Sequence, residues 1–281
     1  TKERYALFRI MYEDGEDLPE ELAEHVAMLK APREAPSPNA AELSSRALTA
    51  RSFGEQDGID TLKAKLFFRG AIDGGTPFTA VTARTNLSSR FIPQRPVPPG
   101  VAPIEQPQPD QAVGYLPTKT ACRSKLKAPF TREEEDLISL FTLSPEVHFP
   151  YFTAQWKSPF KGQTHEQAIP QGARDGATII NYLHTFYQKA RGTNPTLVET
   201  CHVSATVDLR TVILWIHWRS PDGSYHMEQI EAGFLDKERD NIGIRAILRN
   251  IEDYALSARL ESIKTAIDQL KSNPSALSKP E

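Results

Sequence analysis

Asp110, Gln155 and Lys157 are the residues whose types and spacing could do chemistry. Asp110 follows Pro109 at the head of a strand-like stretch, DQAVGYL, and Gln155-Trp156-Lys157 closes another, VHFPYFTAQWK. Successive side chains of a strand point to opposite faces, so Gln155 and Lys157 share a face, which a spacing of three would not give. A hydrolytic Mg2+ site needs hard oxygen ligands and an open position for water and phosphate. Asp110 would supply a carboxylate, Gln155 a neutral side-chain carbonyl and Trp156 a backbone carbonyl between them. The Lys157 ammonium would orient or activate the attacking water and offset charge in the transition state.

The elements that must position these residues can be read from periodicity. Residues 110–116 and 147–157 are strands, followed by a long helix over 165–190 with Pro170 near its start. Residues 202–207 and 211–218 form a hairpin across Asp208 and Arg210, and residues 225–232 add a third strand. Apolar residues from Ile244 to Ile267 recur at helical spacing and predict one amphipathic helix over 242–270. Upstream, helices are expected near 17–31 (capped by Asp17 and ended by Pro32), 37–53 and 58–68, with a strand at 78–82. Residues 91–109 hold seven prolines and cannot be helix. They are expected to wrap over one domain, because strand-like sequence follows at once. Thr131 and Glu134 form a capping box that opens a helix over 132–143. That helix must be inserted between the two strands of interest, since Asp110 and Gln155 are too far apart for a tight hairpin.

Length and composition agree with one sizeable core. The chain has 281 residues, 39% hydrophobic and 25% charged, and divides into an N-terminal helical extension (1–36), a main domain (37–270) and a flexible tail (271–281). A net charge of −3 excludes a surface coated in basic residues, yet leaves room for a local phosphate-binding patch. Such a patch is readable in Lys119, Arg123, Lys125 and Lys127, a run without acids; a solvated loop is the plainer reading. Cys122 and Cys201 cannot build a disulfide framework and fit no zinc spacing, which points to a reducing, intracellular compartment. The start at Thr1 instead of Met leaves room for a longer precursor with a leader. No apolar run approaches the roughly 20 residues that span a bilayer. Residues 70–75 lack the Gly-Lys-Ser/Thr ending of a phosphate-binding loop, and neither a GxSxG elbow nor a kinase lysine and His-Arg-Asp set occurs. His202 and His217 fall on strands and read as core or surface.

The order Pro109-Asp110 then Gln155-Trp156-Lys157 resembles the PD-(D/E)XK nuclease superfamily, in the glutamine form used by Mrr-type restriction enzymes. Residues 37–269 are similar to an uncharacterised fungal family of that superfamily through PDQAVGYL, FTAQWKSP, QAIPQGARDGATIINYL, VILWIHW and LRNIEDYALSARL. The resemblance implies an α/β, restriction-endonuclease-like fold: a central mixed sheet flanked by helices in an α-β-β-β-α-β core. It implies Mg2+ or Mn2+ as cofactor, DNA more than RNA as partner, and the nucleus as one place of action. It also implies a glutamate from the first helix, for which Glu42 stands ahead of Glu55, and a glutamine from the later helix, Gln171. Glu146 is an alternative to Asp110 as the acid. Because glutamine replaces the second carboxylate, the alternative is a catalytically silent module that binds nucleic acid or a protein partner.

Overall fold

The computed structural model describes residues 2–35, 37, 39–50, 55–67, 79–157 and 162–273. A six-stranded sheet lies at its centre in the order β1 (Thr79–Ala83), β2 (Gln111–Tyr115), β3 (His148–Trp156), β4 (His202–Val207), β5 (Thr211–Arg219) and β6 (Tyr225–Phe234). All neighbours are antiparallel except β3 and β4, which run parallel. A parallel pair needs a long crossover, and α7 (His165–Arg191) supplies it. The protein is therefore α/β, with a mixed sheet flanked by helices.

The two faces of the sheet differ in chemistry. One carries Phe152, Trp156, Val203, Val207, Leu214 and Ile216 into the largest apolar core. Helices α2 (Glu20–Leu29), α3 (Ala40–Ala50), α4 (Glu55–Leu66) and α9 (Glu238–Tyr254) cover it through Leu22, Leu43, Leu62 and Ile244. The opposite face carries Thr153, Gln155, Lys157, Ser204, Thr206 and His217, all buried. Buried polar groups need partners. Thr153 meets His202 Nε2 at 2.8 Å, Ser204 meets His217 Nε2 at 2.7 Å, and Thr206 meets His165 Nδ1 at 2.9 Å. Helix α7 lies over this polar face. It comes close because its facing residues include Gly172 and Gly176, and a Cβ on Gly176 would sit 2.2 Å from His217 Nδ1.

Most expected elements form. Helix α7 begins with a capping box at Thr164 and ends at Gly192 in the left-handed region. Pro170 is its sixth residue, past the first turn, so it removes one backbone hydrogen bond. The single helix expected over 242–270 is α9, a π-helical turn (Ala255–Arg259) and α10 (Leu260–Ser272). The widened turn has identifiable tertiary causes. Tyr115 donates to the Ala255 carbonyl at 2.5 Å, and the buried Arg259 reaches back to the Phe149 and Pro150 carbonyls. The helix expected over 132–143 is α6 (Arg132–Ile138) followed by a 3-10 turn, Ser139–Phe141. Helix α5 (Thr118–Ser124) was not legible in the sequence, and both lie between β2 and β3.

The proline-rich segment wraps onto the domain, burying Ile92 and Ile104 beside Ile169 and Ala173 of α7. Helix α1 (Lys2–Leu7) leads into Ile10, which bridges to Tyr225 at the β6 edge of the sheet, and Phe8, Ile10 and Tyr12 join the same cluster. Pro19, not Asp17, caps α2, and no side chain bonds its first turn. Helix α10 extends through Ser272, past the start of the expected tail, of which residues 274–281 lie outside the described ones. No helix among the described residues is long and apolar enough to cross a membrane.

Candidate functional site

The β2–β3 register pairs Gln111 with Ala154, so one step further sets Asp110 across from Gln155. Strand β2 has ended there, and the Asp110 side chain takes over the ladder. Its Oδ2 accepts the Trp156 backbone N–H at 2.9 Å and lies 3.8 Å from Lys157 Nζ. The Asp110 backbone carbonyl accepts from Arg84 N–H at 3.2 Å and Lys63 Nζ at 3.5 Å. In a strand the N–H and C=O of one residue point to the same side, so the Trp156 carbonyl also faces Asp110. The Trp156 indole lies on the other face, edge-on to Phe67.

Gln155 is 3% exposed. Its amide nitrogen donates to Asp175 Oδ2 at 2.6 Å and to the Gln108 carbonyl at 3.3 Å. Both amide hydrogens are thereby spent, which leaves the carbonyl oxygen as the atom that could face a cation. Asp175 comes from α7 and is fully buried; the sequence reading missed it. Its signal was there: Ala168, Gly172, Asp175 and Ile179 recur at helical spacing on one buried face, and Asp175 is the acid among them. Arg174 Nε and Nη2 each reach Asp175 Oδ1 at 3.1 Å, and Arg174 Nη1 lies 3.6 Å from Glu105 in the wrapping segment.

Burial pushes the Asp175 carboxyl up to about 6; Arg174 and Gln155 oppose the shift, while the Asp110 charge adds to it. Two carboxylates close enough to repel each other are what a divalent cation relieves. Asp110 and the Gln155 and Trp156 carbonyls are hard oxygen donors, suited to Mg2+ or Mn2+, whereas both Asp175 oxygens are already engaged by Gln155 and Arg174. Gln171 lies one turn before Asp175 on α7, and its side-chain carbonyl oxygen is buried without a hydrogen-bond partner. The donor set thus fits a hard cation completed by water. Among the described residues no three His, Cys, Asp or Glu side chains gather around a point, which is unlike a zinc-type centre.

The raised Asp175 carboxyl has a consequence for stability. Folded protein holds this proton up to about pH 6, whereas an unfolded aspartate loses it near 4. The folded state therefore binds the extra proton between those values, and stability falls as pH rises through that window. Asp175→Asn has no such proton. Its stability relative to the parent should rise between about pH 4 and about pH 7, by up to about 3 kcal/mol. Urea titrations of both proteins across this range would check it; parallel pH profiles would contradict a buried, titrating Asp175.

Other expected site residues lie elsewhere. Glu42 pairs with Arg46 at 2.8 Å and Lys65 at 2.9 Å, and those two cations hold its carboxyl low. It therefore ties α3 to α4 and is not brought to Asp110; on a helix its nearest cations are simply one turn along and on the neighbouring helix. The side chain of Glu55 lies outside the described residues. Glu146 is exposed at the far end of β3 from Gln155, so Asp110 is the acid beside Lys157. Lys119, Arg123, Lys125 and Lys127 are exposed on and after α5. They follow the Tyr115 end of β2, so a five-residue strand, about 17 Å, separates them from the level of Asp110.

A second polar row links Asp14, His226 and Ser220, at 3.4 Å and 3.1 Å. Its connectivity is that of a serine nucleophile relay. The Ser220 hydroxyl, however, donates to Asp222 within the β5–β6 turn, so its proton is not directed at His226.

Fold and cluster together define an α/β protein with a mixed sheet and a polar site at the carboxyl ends of β3 and β4. Residues 61–267 match the family model described as a domain of unknown function, DUF7924, and the chain belongs to that family. No curated protein matches it.

Proposed function

We propose that the chain is a metal-dependent nuclease of the PD-(D/E)XK kind, hydrolysing phosphodiester bonds in DNA with Mg2+ or Mn2+. The observation that carries this reading is the register that sets Asp110 beside Gln155 and Lys157, with Asp175 contributed by the crossover helix. The order of elements supports it: α4, the antiparallel β1-β2-β3, α7 and then β4 parallel to β3 is the α-β-β-β-α-β arrangement expected of a restriction-endonuclease-like core. The cluster also lies where the sheet changes from antiparallel to parallel, at the carboxyl ends of the two central strands.

In this reading Asp110, the Gln155 carbonyl and the Trp156 carbonyl hold the cation, with Asp175 fixing the Gln155 amide from behind. Arg174, pinned between Asp175 and Glu105, keeps that carboxylate in place. A bound divalent ion would polarise the phosphate and lower the pKa of its water. Lys157, 3.8 Å from Asp110, is placed to donate to that water and to the charge developing on phosphorus oxygens.

Purified protein incubated with plasmid, linear and single-stranded DNA, and with RNA, in Mg2+, Mn2+ or EDTA tests the reading. Cleavage that needs metal and disappears in Asp110→Ala supports it; cleavage that survives in Asp110→Ala sinks it. One observation favours a second reading. The Asp110, Gln155, Lys157 and Asp175 side chains already satisfy one another, as expected of a catalytically silent module that keeps the fold and binds nucleic acid or a protein partner. DNA binding without cleavage in any metal, and no heat on metal titration, would select that reading.

A further inference from the structure

Four arginines from three separate segments open onto one cleft at the far end of the β5–β6 hairpin. They are Arg9 after α1, Arg90 and Arg95 in the wrapping segment, and Arg219 at the end of β5. The cleft has a volume of about 440 Å3 and is bounded by Asn181 of α7 and by Tyr225. Its one acidic lining residue is Asp222, 3.5 Å from Arg9. Among the described residues no carboxylate pairs with Arg90, Arg95 or Arg219. Three uncompensated guanidiniums thus gather in a chain whose net charge is −3.

Two of these side chains, Arg90 and Arg219, are held in place, and Arg95 is exposed on the loop. Arg90 Nη1 donates to the Leu140 carbonyl at 3.0 Å and lies 5.4 Å from the Phe91 ring. Arg219 lies 5.8 Å over the Tyr225 ring, and the Tyr225 hydroxyl is anchored to Asn181 at 2.9 Å. Below it the turn passes through Gly223 in the left-handed region, and a Cβ there would lie 3.6 Å from Arg219 Nη2. His184, on the next turn of α7 after Asn181, is pushed down to about 4, by burial first and then by the Arg219 charge. It is neutral at pH 7, so the positive charge around the cleft is the arginines' own.

Like charges fixed side by side repel, and an anion between them removes that cost. Guanidinium forks match the paired oxygens of a phosphate better than any other side chain does. We propose that this cleft binds phosphate groups, from a nucleotide or from a nucleic-acid backbone. Gln155 lies level with Thr206 and Ile213, six residues before Arg219, so the cleft is about 20 Å along β5 from the Asp110 cluster. It needs no metal and does not rest on the nuclease reading.

Calorimetry of the whole chain with pyrophosphate, in EDTA, tests it, together with the His184 imidazole resonances assigned through His184→Gln. Pyrophosphate should bind, move the His184 resonances, and lose affinity by at least about tenfold in Arg95→Gln/Arg219→Gln. Asp110→Ala should bind it as the parent does, which separates this site from the metal reading. A short fluorescent single-stranded oligonucleotide distinguishes the sources. Its displacement by pyrophosphate would name a nucleic-acid backbone, and pyrophosphate binding without oligonucleotide binding would name a small phosphorylated ligand; either result supports the phosphate site. Absence of binding by both probes, or binding unchanged in the arginine variant with His184 unmoved, would overturn it. If the double variant does not fold, Arg95→Gln, at an exposed loop position, carries the same comparison alone.

Discussion

Replacing Lys157 with methionine is expected to lower metal-dependent DNA cleavage by about 10²–10⁴-fold, the range typical of a positioned proton donor or acceptor. Lys157 is 8% exposed, and its ammonium lies 3.8 Å from the Asp110 carboxylate at the end of β3. No flexible surface lysine would be held there, because ordering four rotatable bonds carries an entropic cost of its own. Methionine keeps the length and most of the volume, so loss of activity would not reflect a collapsed neighbourhood. Single-turnover cleavage by parent, Lys157→Met and Lys157→Arg separates charge from geometry. Arginine keeps the charge but spreads it over a planar fork, and should recover little. Activity of Lys157→Met within about twofold of the parent would remove the lysine from the mechanism and, with it, the main reason to read QxK as catalytic.

Gly176→Ala should be strongly destabilising, since among the described glycines its added methyl would make the closest approach to another atom. The new Cβ would stand 2.2 Å from His217 Nδ1 and 2.5 Å from Cε1. His217 cannot simply turn away. It is 1% exposed, and its Nε2 is bonded to Ser204 at 2.7 Å. Burial also pushes the ring down to about 3, so it is neutral and unsolvated. Relief requires either α7 to lift from the sheet or the ring to break its bond. The cost should be about 3 kcal/mol or more, equivalent to a fall in melting temperature of about 6–12 °C for a domain of this size. Because α7 also carries Asp175, any lift of the helix should loosen Gln155. The companion variant His217→Ala makes room for the methyl. If Gly176→Ala is no more destabilising in the parent than in the His217→Ala background, close helix–sheet contact is not what Gly176 provides. Differential scanning calorimetry of the four proteins of this cycle measures the coupling.

Both expectations trace to features with different visibility in the sequence. Lys157 was legible because strand alternation is a local rule: two residues apart means one face, whatever the rest of the chain does. The extent of α7 was legible for the same reason, through the helical spacing of Ile179, Ile180, Leu183 and Phe186, while its cap at Thr164 and its stop at Gly192 emerged from the structure. The break in the last helix was not. Its cause is Tyr115, from β2, reaching the Ala255 carbonyl, a contact between residues far apart in the chain. Glu42 was misplaced because a glutamate on a predicted helix says nothing about which neighbour supplies its cation, and Lys65 of α4 does so here. Asp175 was overlooked because its immediate neighbours Arg174 and Gly176 suggest a helix surface, whereas its partner Gln155 comes from a strand.

By itself the sequence determined the alternation, caps and periodicities, and through them an α/β protein in which Gln155 and Lys157 share a strand face. The tertiary structure decided which residues meet there. It set Asp110 opposite Gln155, brought Asp175 down from the crossover helix, left Glu42 with Arg46 and Lys65, and gathered the four arginines into one cleft. The division has a physical cause. Local order follows from backbone sterics and spacing within a few residues. A site is assembled by sheet register and close helix packing, which join segments that the chain itself keeps apart.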